Sequence, residues 1–422
     1  MNVELVNTGS ELMLGRVLNT HQQWLCRRLA DMGHVVTRQV AIADASADIQ
    51  QAVREALTRA DLVITTGGLG PTSDDITREL IAGLLGAKLV QNQHVLAHID
   101  KFFAARNRPR PPRTSVETFV PEGAKVFLNR FGTAPGLAMK LDPNPFRADR
   151  QATWLVMLPG PPRELRPMFD DSITPLLQRE LAPETFVCRT LRSTGIGESR
   201  VQEMVEADLA PLVAKGLEIG YCARPGSVDV RLTAKGDTAA DLVRASEASV
   251  QKNLGSNIYG SDDEEMETVV VRLLTAAKQT LALAESCTGG NIAHRITNIP
   301  GASAVFLGGV VSYANSAKEK FLGVRPETLR EHGAVSEAVA TEMACGARER
   351  FGSDYALAVT GIAGPDGGTP DKPVGTVFIA LATPEGVTVK KMQNPWERAT
   401  FKEVTATQAL ELLRFSSLQR GK

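Results

Sequence analysis

Two stretches of this sequence hold enough reactive groups to do chemistry. In "LALAESCTGGNIAHRI", Leu281 to Ile296, a carboxylate, two hydroxyls and a thiol sit between an apolar run and a helix-like segment. Ser286, Cys287 and Thr288 compete there for the place of a nucleophile. A strand that stops at Glu285 and turns at Gly289 and Gly290 holds its last side chains at the carboxyl edge of a sheet, where such sheets keep their sites. The same residue types also suit helix capping, since Ser and Thr are good N-caps and Gly is common in turns. A second group favours chemistry: "VVSYANSAKEKF" puts Lys318 in the first turn of a helix after another strand, at the same edge. The positive helix end and burial would both lower its pKa toward that of a usable base, the condition for a Ser-Lys pair. Its plain alternative is a solvated surface amine. Cys287 is intrinsically the better nucleophile, but no His lies in these loops to activate it, and His294 falls within the following helix.

The other stretch, "DLVITTGGLGPTSDDITREL", places Gly67, Gly68 and Gly70 after a strand and before a helix. Free backbone N–H groups and the helix dipole can hold phosphate there. The lysine of a P-loop and the spacing of a dinucleotide fingerprint are both missing. Asp74 and Asp75 offer the hard oxygens that a divalent ion such as Mg²⁺ needs beside a pyrophosphate. Thr72 with Asp75 equally fits a capping box, and the dipole favours both acids whatever the loop binds. A further loop, "AVTGIAGPDGGTPDKPVG", presents Thr360, Gly361, Gly364, Gly367 and Gly368, either to wrap phosphate or ribose or simply as a flexible turn.

The elements that position these groups can be read from the pattern of the chain. Short apolar runs alternate with helix-period segments from "VELVNTG" to "DLVITTGG", a βαβαβ order that implies a parallel sheet under helices. Thr20 with Gln23 suits a capping box for the first helix, and Gly33 its stop. "ARNRPRPPRTS", Ala104 to Ser115, must be loop or extended chain, either a basic clamp or a solvated connector. Around Pro175 to Glu184 the pattern changes, and a small unit of about 85 residues runs to "LGSNIYG". "SDDEEMETVVVRLLTAAKQ" then starts a helix with acids in its first turn, its acidic lead-in reading as a linker beside a boundary near Gly260. The last segment alternates strand and helix again. The fold class is therefore α/β in three domains, 1–175, 176–260 and 261–422.

Composition bounds the function classes. At 422 residues and 43% hydrophobic, the chain exceeds one core, and no apolar run approaches the roughly 18 residues of a membrane span. Lys and Arg number 47 against 48 Asp and Glu, so no bulk positive field draws in a polyanion. Gly195 and Gly197 in "STGIGES" lie too close together for a GXXG backbone grip, and nucleic acid is not expected as a partner. The N-terminus has no leader pattern, and the five cysteines lack CxxC or Cys/His spacing. Reduced thiols and a cytoplasmic location are the expectation, with no zinc site.

"VNTGSELMLG", "TTGGLGPTSDDIT", "NRFGTAPG" and "MLPGPPREL" resemble the N-terminal domain of the CinA family, itself similar to molybdopterin-binding proteins of the MogA type. The second domain would then be that family's KH-like insert. "AESCTGG", "VSYANSAK", "HGAVSE" and "TGIAGPDGG" resemble the C-terminal CinA domain, a nicotinamide mononucleotide amidohydrolase of the PncC type. For the first domain the resemblance implies metal-dependent hydrolysis of ADP-ribose to AMP and ribose 5-phosphate. A divalent ion, Mg²⁺ or similar, would be held by Asp75 and by Asp44 of "AIADAS", with Asp74 beside them. The family segment around Asp44 resembles Gly-Asp-Asn, where this chain has Ala43, Asp44 and Ala45. Ser10 and Glu11, with Gly67, Gly68 and Gly70, would bind the substrate. For the last domain it implies no cofactor: Ser286 attacks the carboxamide, Lys318 is its base, ammonia leaves, and water releases nicotinate mononucleotide. Tyr313 and Thr360 would orient the dyad or the amide, and Thr288, Gly289, Gly290, Gly361 and Gly364 would bind substrate, leaving Cys287 as a packing neighbour. The expected partners are small nucleotides and a second copy in a homodimer, with no membrane. The alternative is a regulatory protein that holds nucleotides or molybdopterin without turning them over.

Overall fold

The computed structural model describes residues 1–181 and 185–420, with side chains through residue 417. By compactness the chain forms two units, residues 1–187 with 235–237, and residues 188–234 with 238–422. The expected change of pattern at Pro175 to Glu184 comes after the start of the helix Thr174–Glu180 and lies partly outside the described residues, at 182–184.

In the first unit the strands Val3–Thr8, Leu62–Thr66 and Thr153–Leu158 are buried along their whole length. This is what a central parallel sheet with two covered faces requires. The order across the sheet is Val36–Ile42, Val3–Thr8, Leu62–Thr66, Thr153–Leu158, Gly136–Leu141, Lys125–Phe127, the first four parallel and the last two antiparallel. Alternate residues serve opposite cores. Leu62, Ile64, Val156 and Leu158 pack with Leu25 and Leu29 of the helix Thr20–Asp31, whereas Val63, Leu155 and Met157 pack with Val53 and Leu57 of the helix Ser46–Leu57. The helix Thr20–Asp31 is capped by Asn19, whose side chain accepts from the Gln22 amide at 3.1 Å, and not by the expected Thr20 and Gln23 pair. Because the connections from Val3–Thr8 run first to one side and then to the other, the ends of Val3–Thr8 and Leu62–Thr66 open a crevice at a topological switch point.

Two more sheets follow along the chain. Residues 186–261 form a four-stranded sheet ordered Glu218–Arg224, Ser227–Lys235, Phe186–Thr194, Ile258–Ser261, with the helices Glu198–Val213 and Ala239–Leu254. The five later strands are ordered Phe306–Val311, Leu281–Glu285, Tyr355–Gly361, Thr376–Thr383, Gly386–Gln393. The first three are parallel and the rest antiparallel. Leu281, Leu283, Leu357 and Val359 face the helices Met266–Ala277 and Arg398–Arg420, while Ala282, Ala284, Ala356 and Ala358 face the helix Glu337–Phe351. The alanine face lets that helix approach the sheet closely. The chain again leaves Leu281–Glu285 for one neighbour and then the other, so a second switch point lies at the end of this strand.

The acidic lead-in to Met266 is not a free linker. Asp262 accepts from Arg189, the Thr190 amide (3.0 Å) and, through its carbonyl, Arg192, while Glu265 pairs with Arg192 at 2.7 Å. The acids precede the helix, which begins at Met266 with Glu267 alone in its first turn, and Lys278 ends it in a left-handed cap. The charge pattern reads as a helix start, but two strand arginines claim the carboxylates first.

Candidate active site

A carboxylate builds the nucleophile turn. Glu285 is buried, and its oxygens accept from the amides of Gly290 (3.0 Å), Ile292 (3.1 Å) and Ala293 (2.8 Å). It thereby satisfies the open N–H groups at the start of the helix Asn291–Thr297. The capping role weighed for Ser286 and Thr288 thus belongs to Glu285. The turn needs left-handed backbone, which Gly289 (φ 62°) and Gly290 (φ 94°) supply. Ser286 is left free for other work: its amide donates to the Val359 carbonyl at 3.0 Å, and its Oγ lies 3.1 Å from Lys318 Nζ.

Lys318 is the fourth residue of the helix Asn315–Leu322 and is 1% exposed. Its Nζ also donates to the carbonyls of Ser312 (2.7 Å) and Tyr313 (3.4 Å), and none of these partners is a carboxylate. Burial holds the amine below the ordinary lysine range, against a smaller opposing influence of Cys287. A buried amine that has lost its proton turns its lone pair to the Ser286 hydroxyl and is a base. Burial acts on Cys287 in the opposite chemical sense, pushing its thiol up to about 12, so no thiolate is available near neutrality.

The remaining predicted residues are arranged around this pair unevenly. Thr288 is fully buried and its Oγ1 has no hydrogen-bond partner, a cost that a substrate polar group would remove. The Thr360 hydroxyl donates to the Ala334 carbonyl at 2.8 Å and so ties down the "HGAVSE" loop rather than the dyad. Tyr313 reaches Lys318 only through its carbonyl; its exposed ring points its hydroxyl to Arg398 Nη2 at 2.7 Å. Arg398, which the sequence pattern did not single out, also donates to the Gly364 carbonyl at 2.9 Å and so joins two of the loops. Gly361 sits in the strand where a Cβ would meet the Thr376 carbonyl at 2.8 Å.

In the first unit a cavity of about 480 Å³ opens at the switch point. Its walls include Gly9, Glu11, Asp44, Gly67, Gly68, Gly70, Asp74 and Asp75, which brings the predicted residues of three separate loops together. Gly67 has φ 99°, and a Cβ there would stand 2.7 Å from the Thr8 carbonyl, so the strand end tolerates only glycine. Ser10 and Asp44 lock two loops: the Ser10 amide donates to Asp44 Oδ2 at 2.8 Å, and the Asp44 amide to Ser10 Oγ at 3.1 Å. Asp75 Oδ2 accepts from the Thr72 amide at 3.0 Å and from its hydroxyl. The helix begins only at Thr77, so the expected capping box closes a turn ahead of the helix. Asp74 is exposed. Hard oxygen donors therefore line the cavity, although among the described residues no three His, Cys, Asp or Glu converge on one point. A Mg²⁺-like ion suits such a wall, because it takes one or two carboxylates and completes its shell with water and phosphate oxygens.

Three family descriptions match consecutive parts of the chain: "Probable molybdopterin binding domain" over residues 4–179, "Damage-inducible protein CinA KH domain" over 188–260, and "CinA C-terminal domain" over 263–416. A CinA-like protein of Akkermansia muciniphila is 44% identical over 412 residues, 97% of this chain and 96% of its own. A relative from Thermoanaerobacter pseudethanolicus, named for competence-damage induction, is 42% identical over 420 residues, 98% of each chain. The crystal structure of the competence/damage inducible protein CihA from Agrobacterium tumefaciens is similar at 43% identity, covering 35% of this chain and 91% of that one, with a TM-score of 0.35.

Proposed function

Since the chain belongs to the CinA family, we propose that its C-terminal segment hydrolyses the carboxamide of nicotinamide mononucleotide to the carboxylate and ammonia. The observation that carries this reading is the 3.1 Å contact between Ser286 Oγ and a buried Lys318 Nζ. Ser286 attacks the carboxamide carbon while its proton passes to Lys318. The tetrahedral intermediate expels ammonia, which takes that proton from Lys318; water then attacks the acyl-enzyme, giving its proton to Lys318, which returns it to the departing Ser286 oxygen. In this reading the unpartnered Thr288 Oγ1 would take a polar group of the substrate, and Arg398, which holds Tyr313 and Gly364 together, would supply a cation for its phosphate.

The first unit we assign to the hydrolysis of nucleotides linked through a pyrophosphate, with ADP-ribose as the substrate. Its support is the cavity that gathers the Gly67–Gly70 loop with Glu11 and Asp44. Asp75 and Asp74 would hold a divalent ion, which when bound neutralises charge on the pyrophosphate. The loop amides orient the phosphates, and the Ser10–Asp44 lock fixes the opposite wall. None of the five cysteines forms a disulfide, which suits a reducing cytoplasm.

The test is hydroxylamine trapping during single-turnover deamidation. Wild type should yield the trapped acyl group, and Ser286→Ala should yield neither trapped group nor ammonia. Ammonia release by folded Ser286→Ala at the wild-type rate would end the serine assignment.

A further inference from the structure

The Pro- and Arg-rich stretch delivers an acid. Two of its bases are engaged locally: Arg106 lies over the Phe102 ring at 3.5 Å, and Arg110 pairs with Asp100 at 3.2 Å. The chain then forms a 3-10 turn over Pro112–Thr118 that carries Glu117 into the wall of the first unit's cavity. Glu117 is 0% exposed. Its Oε1 accepts from the Thr133 hydroxyl at 3.0 Å, whereas its Oε2 is buried with no hydrogen-bond partner. A buried carboxylate with half its acceptors unmet is costly, so the group must take up a proton or find a ligand. Burial pushes its pKa up to about 7; the Thr133 bond and the Arg78 guanidinium oppose this, and Asp75 and Glu164 reinforce it. Glu11, Asp44 and Asp74 line the same cavity.

We propose that Glu117 is a ligand contact of this cavity, its neutral carboxyl donating from Oε2 to a phosphate oxygen of a nucleotide pyrophosphate seated on the Gly67–Gly70 loop. A doubly esterified pyrophosphate can only accept hydrogen bonds near neutrality, so it selects the protonated acid and is repelled by the anion. This deepens the reading of the cavity as an ADP-ribose site and rests on it.

The experiment measures binding to the full chain of the non-hydrolysable α,β-methylene analogue of ADP-ribose, with Mg²⁺ present, and of AMP as a second probe. Glu117→Gln, which keeps a neutral donor, should bind the analogue as wild type does at about pH 6, and Glu117→Leu should bind it at least about tenfold more weakly. Between about pH 6 and pH 8 wild-type affinity should fall about tenfold relative to Glu117→Gln. Equal affinity of wild type and folded Glu117→Leu overturns the proposal. So does a pH dependence that persists in Glu117→Gln, which would belong to another group. Should Glu117→Leu fail to fold by thermal melting, the pH comparison decides alone. If the analogue does not bind but AMP does, with the same ranking of variants, the ADP-ribose reading falls and the role of Glu117 stands. If neither binds, both fall.

Discussion

Lys318 has three oxygen neighbours, none of them a carboxylate, and burial outweighs the smaller influence of Cys287 that favours its charge. A depressed lysine pKa means the active, neutral form appears at lower pH than for a free amine. The kcat/KM for deamidation should therefore rise with pH to a plateau whose midpoint lies below the ordinary value of 10.5. Lys318→Arg should lose about a thousandfold or more in kcat, since a guanidinium keeps its proton. Cys287→Ala should keep most of the activity, because a buried thiol with its pKa raised to about 12 contributes packing alone. A pH profile unchanged in Lys318→Arg would show that the lysine is an electrostatic anchor. Ser286 and Lys318 were legible in the sequence because each follows an apolar strand-like run, Ser286 just before a helix and Lys318 in the first turn of one, which fixes both at one sheet edge. Glu117 and Arg398 were not. Glu117 lies in a short 3-10 turn and Arg398 at the first residue of a helix, and what makes each distinctive is a three-dimensional neighbourhood: an unmet acceptor position for one, Tyr313 and Gly364 for the other.

The short helix behind the nucleophile depends on Glu285 more than on its own seven residues. Glu285→Ala leaves three helix-start amides without their acceptor and should cost about 2–4 kcal/mol of stability, read as a lower melting temperature. It should also lower kcat by displacing Ser286, whereas Glu285→Gln, with one oxygen retained, should fall between. Unchanged melting and turnover in Glu285→Ala would mean that the glycine turn holds itself. The βαβαβ order that opens the first segment was readable from apolar periodicity. Caps were read less well: Thr20 with Gln23 and Thr72 with Asp75 fit the capping pattern, but Asn19 and a preceding turn took the roles. Residues one position apart compete for a cap on backbone geometry that spacing does not encode.

At the scale of the second unit, the segment 188–261 is fastened to the C-terminal segment of the chain. Tyr259 packs in one core with Met266 and Leu413, and Arg414 donates to the carbonyls of Ser256 and Ile258. A fragment from Ser261 onward contains every strand that bears the dyad and should still deamidate the substrate. It should be less stable than a fragment from Cys188 onward, by about 2–3 kcal/mol for the lost tyrosine burial alone, and should melt at a lower temperature. Equal melting of the two fragments would mean that the contact is incidental. One helix, Arg398–Arg420, bears on both places: Arg398 touches Tyr313 and Gly364 of two loops of the C-terminal segment, and about 24 Å further along, at roughly 1.5 Å per residue, Arg414 grips the preceding segment. A helix of this length is a strut. It cannot shorten to absorb a displacement at one end without breaking its own hydrogen bonds, so the mount at Ser256 and Ile258 sets where the arginine at the far end stands.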